Sequence, residues 1–159
     1  MSLDTATFTS VMAAVAGPVA VVTTVDEHGK RWGFTASAFC SLSLDPPLVL
    51  VCLARTASCH GAFVTAKSFT LNVLAHDQDD LARHFARSGP DKFEGTRMTE
   101  CERGLPGLVD AAARLVCSAH SVSDGGDHSI LVGRVEEAVA LDRVPLIYHN
   151  RAFTRPQAA

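Results

Sequence analysis

The sequence predicts a mainly β barrel with short helical insertions, and three observations point there. Short runs of β-branched or alternating apolar residues recur along the 159 residues, bounded by Gly, Pro and Asp clusters. Only three brief stretches carry helical spacing. No internal repeat or low-complexity segment interrupts the pattern, and the length fits one domain, residues 1–159, with a sizeable core.

Phe8, Val11, Met12 and Val15 recur at helical spacing, and Gly17-Pro18 ends a helix expected to cap one end of the barrel. Val19 to Val25 is a dense β-branched run. Asp26-Glu27-His28-Gly29 supplies a turn, and extended structure resumes at Arg31, so the two runs form a hairpin. Two further extended runs, Phe34 to Leu44 and Leu48 to Leu53, are separated by Asp45-Pro46-Pro47, where prolines without N–H groups interrupt pairing. Ser58 is the expected cap of a short helix through Val64, whose free N–H groups would suit a phosphate.

Phe69, Leu71 and Val73 alternate with Thr70 and Asn72 as a half-buried strand. Asp77 is the expected cap of a third helix, with Leu81 and Phe85 as its apolar stripe and Gly89-Pro90 as its stop. Asp91 to Asp110 has no period and is expected to be irregular. Ala113 to Val122 and Ser129 to Leu141 read as long strands joined around Asp124-Gly125-Gly126-Asp127. Leu146 to Tyr148 is a short last strand, and the tail from Pro156 is expected to be loose.

Composition narrows the partners. A net charge of −3 with 19% charged residues argues against general binding to nucleic acid or to an anionic membrane surface, so an anionic ligand would need local cationic groups. Cys40, Cys52, Cys59, Cys101 and Cys117 are odd in number and irregular in spacing, which fits reduced thiols in a cytoplasmic protein better than a disulfide framework. There is no Cys-x-x-Cys pair, and His60, His76, His84, His120 and His149 show no metal-ligand spacing. No stretch of 18 consecutive apolar residues suggests a membrane span, and Asp4 with scattered Thr and Ser does not resemble a signal peptide.

The chemistry concentrates between Gly33 and Cys52. A strand buried for packing alone would be rich in Val, Ile and Leu, yet Thr35, Ser37, Ser41 and Ser43 alternate here with Ala36, Ala38, Phe39 and Leu42. Small side chains let a planar ligand approach the backbone, and hydroxyls can bond its polar edge. Taken alone, the same residues fit an edge strand with a hydroxylated solvent face equally well.

This segment resembles the flavin-contacting segment of the short-chain flavin reductases, the reductase components of two-component flavin monooxygenases. Further segments agree in order: Phe69-Thr70-Leu71-Asn72-Val73-Leu74, Gln78 to Phe85, Asp91-Lys92-Phe93-Glu94-Gly95, Gly126-Asp127-His128 before a strand, and Pro145-Leu146-Ile147-Tyr148. The resemblance spans residues 5–153 and implies an FMN-binding split β-barrel, Greek-key-like, in a homodimer. It implies that Thr35, Ala36, Ser37 and Ala38 run along the isoalloxazine and ribityl chain, with Ser41 also a contact. Cys52, Leu53 and Ala54 would be the next strand's contacts, and Ser58 and Cys59 would lie near the phosphate. Phe85, Lys92 and Phe93 would sit near the flavin or its phosphate, although Phe85 equally fits helix core. Cys52 and Cys59 read as small buried hydrophobes, not as redox thiols.

His128 is the expected catalytic residue, placed by the resemblance beside the flavin where nicotinamide binds; a solvated hairpin histidine is the bland alternative. Asp127 reads as turn-shaping. Tyr148 would line the same cleft and Arg151 would pair with a phosphate, and both also fit surface or dimer-contact roles. The implied activity is an NAD(P)H-dependent flavin reductase, moving hydride from NADH, with NADPH the other donor, to FMN or FAD. Reduced flavin would then diffuse to a separate flavin-dependent monooxygenase. The lack of a Gly-x-Ser-x-Gly elbow or a triad agrees with this, because cofactors carry such chemistry and no protein nucleophile is needed. The alternatives are a flavin enzyme acting directly on an organic substrate, and a flavin carrier without turnover.

Overall fold

The computed structural model describes residues 3–89 and 91–157, most of them arranged around a seven-stranded antiparallel sheet. The chain enters through α1 (Thr5–Ala13), where the Asp4 carboxylate accepts from the Thr7 N–H as a helix cap. β1 (Gly17–Pro18) leads to β2 (Ala20–Val25) and β3 (Arg31–Ala36), the hairpin expected from the β-branched run. Asp26 holds its turn by accepting from the N–H groups of His28 and Lys30. β2 is buried from Ala20 to Thr24 because two cores flank it: Val22 faces one, and Val19 and Val21 the other. Thr23 and Thr24 tolerate burial because their hydroxyls donate to the carbonyls of Pro106 and Ser68.

The run expected to be one strand from Phe34 to Leu44 is broken. β3 stops at Ala36, the chain bends at Ser37-Ala38, and β4 (Phe39–Ser43) pairs with β5 (Leu48–Ala54). The remaining strands explain the break. With β6 (Ser68–Val73), the three-residue strands β7 (Met98–Glu100) and β8 (Pro106–Leu108), then β9 (Ala113–Gly125) and β10 (His128–Ala140), the sheet order is β3-β2-β6-β9-β10-β5-β4. β3 and β4 are therefore opposite edges, and Ser37-Ala38 carries the chain from one to the other, closing the sheet covalently. The Cys52 N–H donates to the Ala38 carbonyl at 2.9 Å across this closure.

Three other expectations need correction. α1 forms but caps nothing in its own chain: Phe8, Val11, Met12 and Val15 are 52%, 61%, 50% and 57% exposed. The short helix α2 (His60–Val64) starts from Cys59 without a side-chain cap, so Ser58 does not play that part. Asp77 does not cap α3 (Asp79–Ala86) either. Gln78 precedes that helix, while Asp77 pairs with Arg143 at 2.7 Å, an interaction 66 residues away in sequence. α3 ends at Ala86, ahead of Gly89; Pro90, the rest of the expected stop, lies outside the described residues.

Asp91 to Asp110 is less irregular than expected, since β7 and β8 form a hairpin around a 3-10 turn at Glu102–Gly104. Arg114 pins it, donating to Glu102 at 2.6 and 3.2 Å and to the Leu108 carbonyl at 3.0 Å. β11 (Ile147–His149) is joined by an unanticipated β12 (Ala152–Thr154), and with β1 they make a small second sheet. Pro156 and Gln157 have no regular structure, and the end of the tail lies outside the described residues. No helix among the described residues is long and apolar enough to cross a membrane.

Candidate active site

Small residues at the closing bend leave a cavity of about 360 Å³ where the sheet edges meet. Its walls are the end of β3 with the bend (Thr35, Ala36, Ser37, Ala38), the end of β5 (Cys52, Leu53, Ala54), the following turn (Ser58, Cys59), and Phe85, Lys92 and His128. All of these were expected from the sequence. β3 and β4 are edge strands, so their outward backbone groups have no strand partner and remain free to bond a ligand at the split.

The charges in this cavity are all of one kind. Among the described residues, no Asp or Glu lines it, although the chain carries 17, whereas Arg87 and Lys92 do. A neighbouring cavity of about 470 Å³ differs sharply, with Asp77, Asp80, Glu94 and Asp110 set against Arg97. A phosphate-bearing ligand is repelled from the second and attracted to the first. Lys92 bridges β3 and α3, its Nζ donating to the Gly33 carbonyl at 3.2 Å and the Phe85 carbonyl at 3.1 Å. An ammonium has three donors, so one remains for the cavity. Burial lowers the Lys92 pKa, and the nearby Cys59 opposes that shift.

Other side chains have roles the sequence did not indicate. The Thr35 hydroxyl donates to the Ala82 carbonyl at 2.6 Å, bracing β3 against α3, so its proton is committed to the fold and its oxygen is left as an acceptor. Burial raises the pKa of both Cys52 and Cys59, which keeps them as thiols. His128 is the first residue of β10, opposite Ala54 in register, and its Nδ1 lies 2.7 Å from Asp127 Oδ1. Asp127 therefore does more than shape the turn. Its carboxyl is held below the usual range, chiefly by the hydrogen bond from His128. With Nδ1 donating to this carboxylate, the neutral ring offers Nε2 as an acceptor, and the protonated ring offers a donor there.

Four expected residues do not line the cavity of their own chain. Ser41 is exposed on β4 opposite Val49, beyond the bend. Phe93 is buried behind the wall, stacked edge-on against Phe85 with ring centroids 5.2 Å apart. Tyr148 packs on Phe153 in the second core, and Arg151 is exposed in the β11–β12 turn at φ 60°. Conversely, Thr56, Ala57, Arg87 and Ser88 line the cavity unannounced. Only the end of the α3 pattern hinted at Arg87 and Ser88, because nothing local shows which way a chain leaves a helix.

Solved flavin reductases share this fold. The NADH:FAD oxidoreductase of Streptomyces globisporus C-1027, solved in complex with NAD and FAD fragments, superposes with a TM-score of 0.91 at 32% identity, covering 99% of this chain and 98% of that one. The chain belongs to the flavin reductase like domain family, matched over residues 12–157. It is 42% identical over 154 residues to the actinorhodin polyketide dimerase of Streptomyces coelicolor, covering 96% of this chain and 87% of the relative. It is 40% identical over 152 residues to the NADH:riboflavin 5'-phosphate oxidoreductase of Streptomyces pristinaespiralis, covering 94% and 86%. Further relatives are named as reductase components or subunits of flavin-dependent monooxygenases. The cavity suits a flavin: small residues at the bend admit a flat ring, and Lys92 and Arg87 meet negative charge without a competing carboxylate.

Proposed function

We propose that this protein is an NADH-dependent flavin reductase that delivers reduced FMN or FAD to a separate monooxygenase. The cavity at the sheet closure carries the reading, since in a net-negative chain no acidic side chain among the described residues lines it. The flavin, when bound, supplies the hydride-accepting ring. The chain's residues position and stabilise. Ser37, Ala38 and Ala54 leave room for the ring, Lys92 and Arg87 offset negative charge, and His128 orients the nicotinamide through Nε2. Incubating the pure protein with NADH and either flavin, and following loss of NADH absorbance, tests this directly. No oxidation with either flavin would sink it.

The exposed apolar face of α1 and the exposed Leu42 and Leu44 (50% and 91%) favour a homodimer that covers them. Light scattering at working concentration should give twice the chain mass, and a fully active monomer would refute this. The five free thiols fit a cytoplasmic location. The relative named as a polyketide dimerase supports a second reading, direct action on an organic substrate. Coupling of an aromatic polyketide by the protein with flavin and dioxygen as the two-electron acceptor, without a separate oxygenase, would favour it.

A further inference from the structure

We propose that Arg55 is a positioning residue for hydride transfer, acting through His128; this rests on the reductase reading above. Arg55 directly follows the cavity wall residue Ala54 and holds the β9–β10 turn at three points. Its N–H donates to the Asp127 carbonyl at 2.9 Å, its Nε to the Gly126 carbonyl at 2.9 Å, and its Nη2 to Asp124 Oδ2 at 2.8 Å. The other Asp124 oxygen accepts from the Gly126 N–H at 2.8 Å, so one carboxylate ties the turn to itself and to the guanidinium. The bond to Asp127 comes from the Arg55 backbone and is shared by any residue there, whereas the side chain holds Gly126 and Asp124, the residues leading into Asp127, whose carboxylate bonds His128 Nδ1.

The turn needs such a tether. β9 pairs with β6 only as far as Ser118, so Ser121 to Asp127 project as an exposed end. Among the described residues, Arg55 makes the bonds between that turn and the barrel beyond the β5–β10 ladder. Guanidinium geometry suits the task, because a planar fork reaches a carbonyl and a carboxylate at once where an ammonium acts as a point. The Arg55 and Asp124 side chains are 44% and 80% exposed, so the ion pair adds little to global stability. Its consequence is local: by fixing Asp124 and Gly126 it sets the direction in which the chain enters Asp127, and with it the imidazole lining the cavity.

The test uses the full chain with NADH and FMN, comparing wild type, Arg55→Ala, Arg55→Lys, Asp124→Asn, His128→Ala and the Arg55→Ala/His128→Ala double variant. Arg103→Ala, which removes another exposed arginine paired to β10 through Glu137, is the control expected to match wild type. Arg55→Ala should lower kcat/KM for NADH about fivefold to thirtyfold with FMN affinity within about threefold of wild type and an almost unchanged Tm. Arg55→Lys should recover less than half of the loss, and Asp124→Asn should reproduce part of it. The double variant should be no worse than His128→Ala by more than about twofold, the signature of two residues acting as one unit. Arg55→Ala at the wild-type rate, a loss that adds fully to that of His128→Ala, or a loss confined to FMN affinity would each overturn the proposal. If His128→Ala itself matches an active wild type, the proposal falls while the reductase reading stands. A wild type inactive with both FMN and FAD removes both.

Discussion

Replacing Gly33 with alanine should reshape the cavity from behind. A Cβ at Gly33 would lie 2.8 Å from Phe85 Cε1, 3.0 Å from Phe85 Cδ1 and 3.3 Å from Phe93 Cζ, so the Phe85 ring has to move. It has little room. Phe85 is fully buried, Phe93 stands edge-on against it, and Arg31 covers Phe93 with its guanidinium 4.8 Å from the ring centroid. α3 cannot retreat freely either, because Thr35 and Lys92 bond its Ala82 and Phe85 carbonyls. The ring can shift toward the cavity that it lines, or the helix can part from β3. Overpacking of this kind costs about 1–3 kcal/mol, which for a chain of this size lowers Tm by roughly 2–12 °C. Flavin affinity should fall about tenfold as the wall moves inward, an amount equal to about 1.4 kcal/mol. Thermal melts and flavin titration of Gly33→Ala read both effects. Phe85→Leu supplies the internal check: damaging alone, it should cost less in the Gly33→Ala background, with a coupling of about 1 kcal/mol. Wild-type Tm and wild-type flavin affinity in Gly33→Ala would refute the account of Phe85 as a confined wall.

His128→Ala should reduce kcat/KM for NADH about tenfold to a hundredfold while flavin affinity changes less than about threefold; unchanged NADH kinetics would make it a turn residue only. Ser37→Leu should weaken flavin binding by about tenfold or more, because a branched side chain at the bend fills the space left for the ring, and titration giving an unaltered affinity would dismiss the placement. Glu102→Gln should destabilise the fold by about 1–3 kcal/mol near neutral pH by breaking the hydrogen-bonded pair with Arg114. The Arg114 guanidinium holds the Glu102 carboxyl below its ordinary value of 4.5, so the pair's contribution is present above that value and is lost as pH falls below it through the folded-state value. The variant should accordingly lose less stability on acidification than wild type, and parallel acid curves would contradict this.

The resemblance located most of the cavity wall because the wall is built from consecutive residues. Thr35 to Ala38 and Cys52 to Ala54 are local strings whose small side chains are visible without a fold. The role of each was less legible. The Thr35 hydroxyl, expected at the ligand's edge, also braces the fold by donating to Ala82, 47 residues away, while Thr35 lines the cavity. Asp127 appeared to shape a turn, yet its carboxylate bonds the neighbouring ring. Which of several nearby groups a polar side chain chooses is a matter of distance in the folded chain.

By itself the sequence determined the periodic elements: the β2–β3 hairpin, the paired long strands β9 and β10, and the existence of α1 and α3. Side-chain alternation and turn chemistry are encoded over a few residues, so they survive without tertiary context. Only the tertiary structure decided where those elements end and what they face. The run from Phe34 to Leu44 breaks at Ser37 because β3 and β4 belong to opposite sheet edges. α1 leaves Val11 61% exposed because amphipathic spacing specifies that a face seeks cover and says nothing of whether the same chain provides it. Asp77 forsakes a helix cap for Arg143 because a guanidinium brought close by folding is a stronger partner than a backbone N–H. Strand order, edge closure and ion pairing depend on contacts between residues tens of positions apart, and no local pattern carries that information.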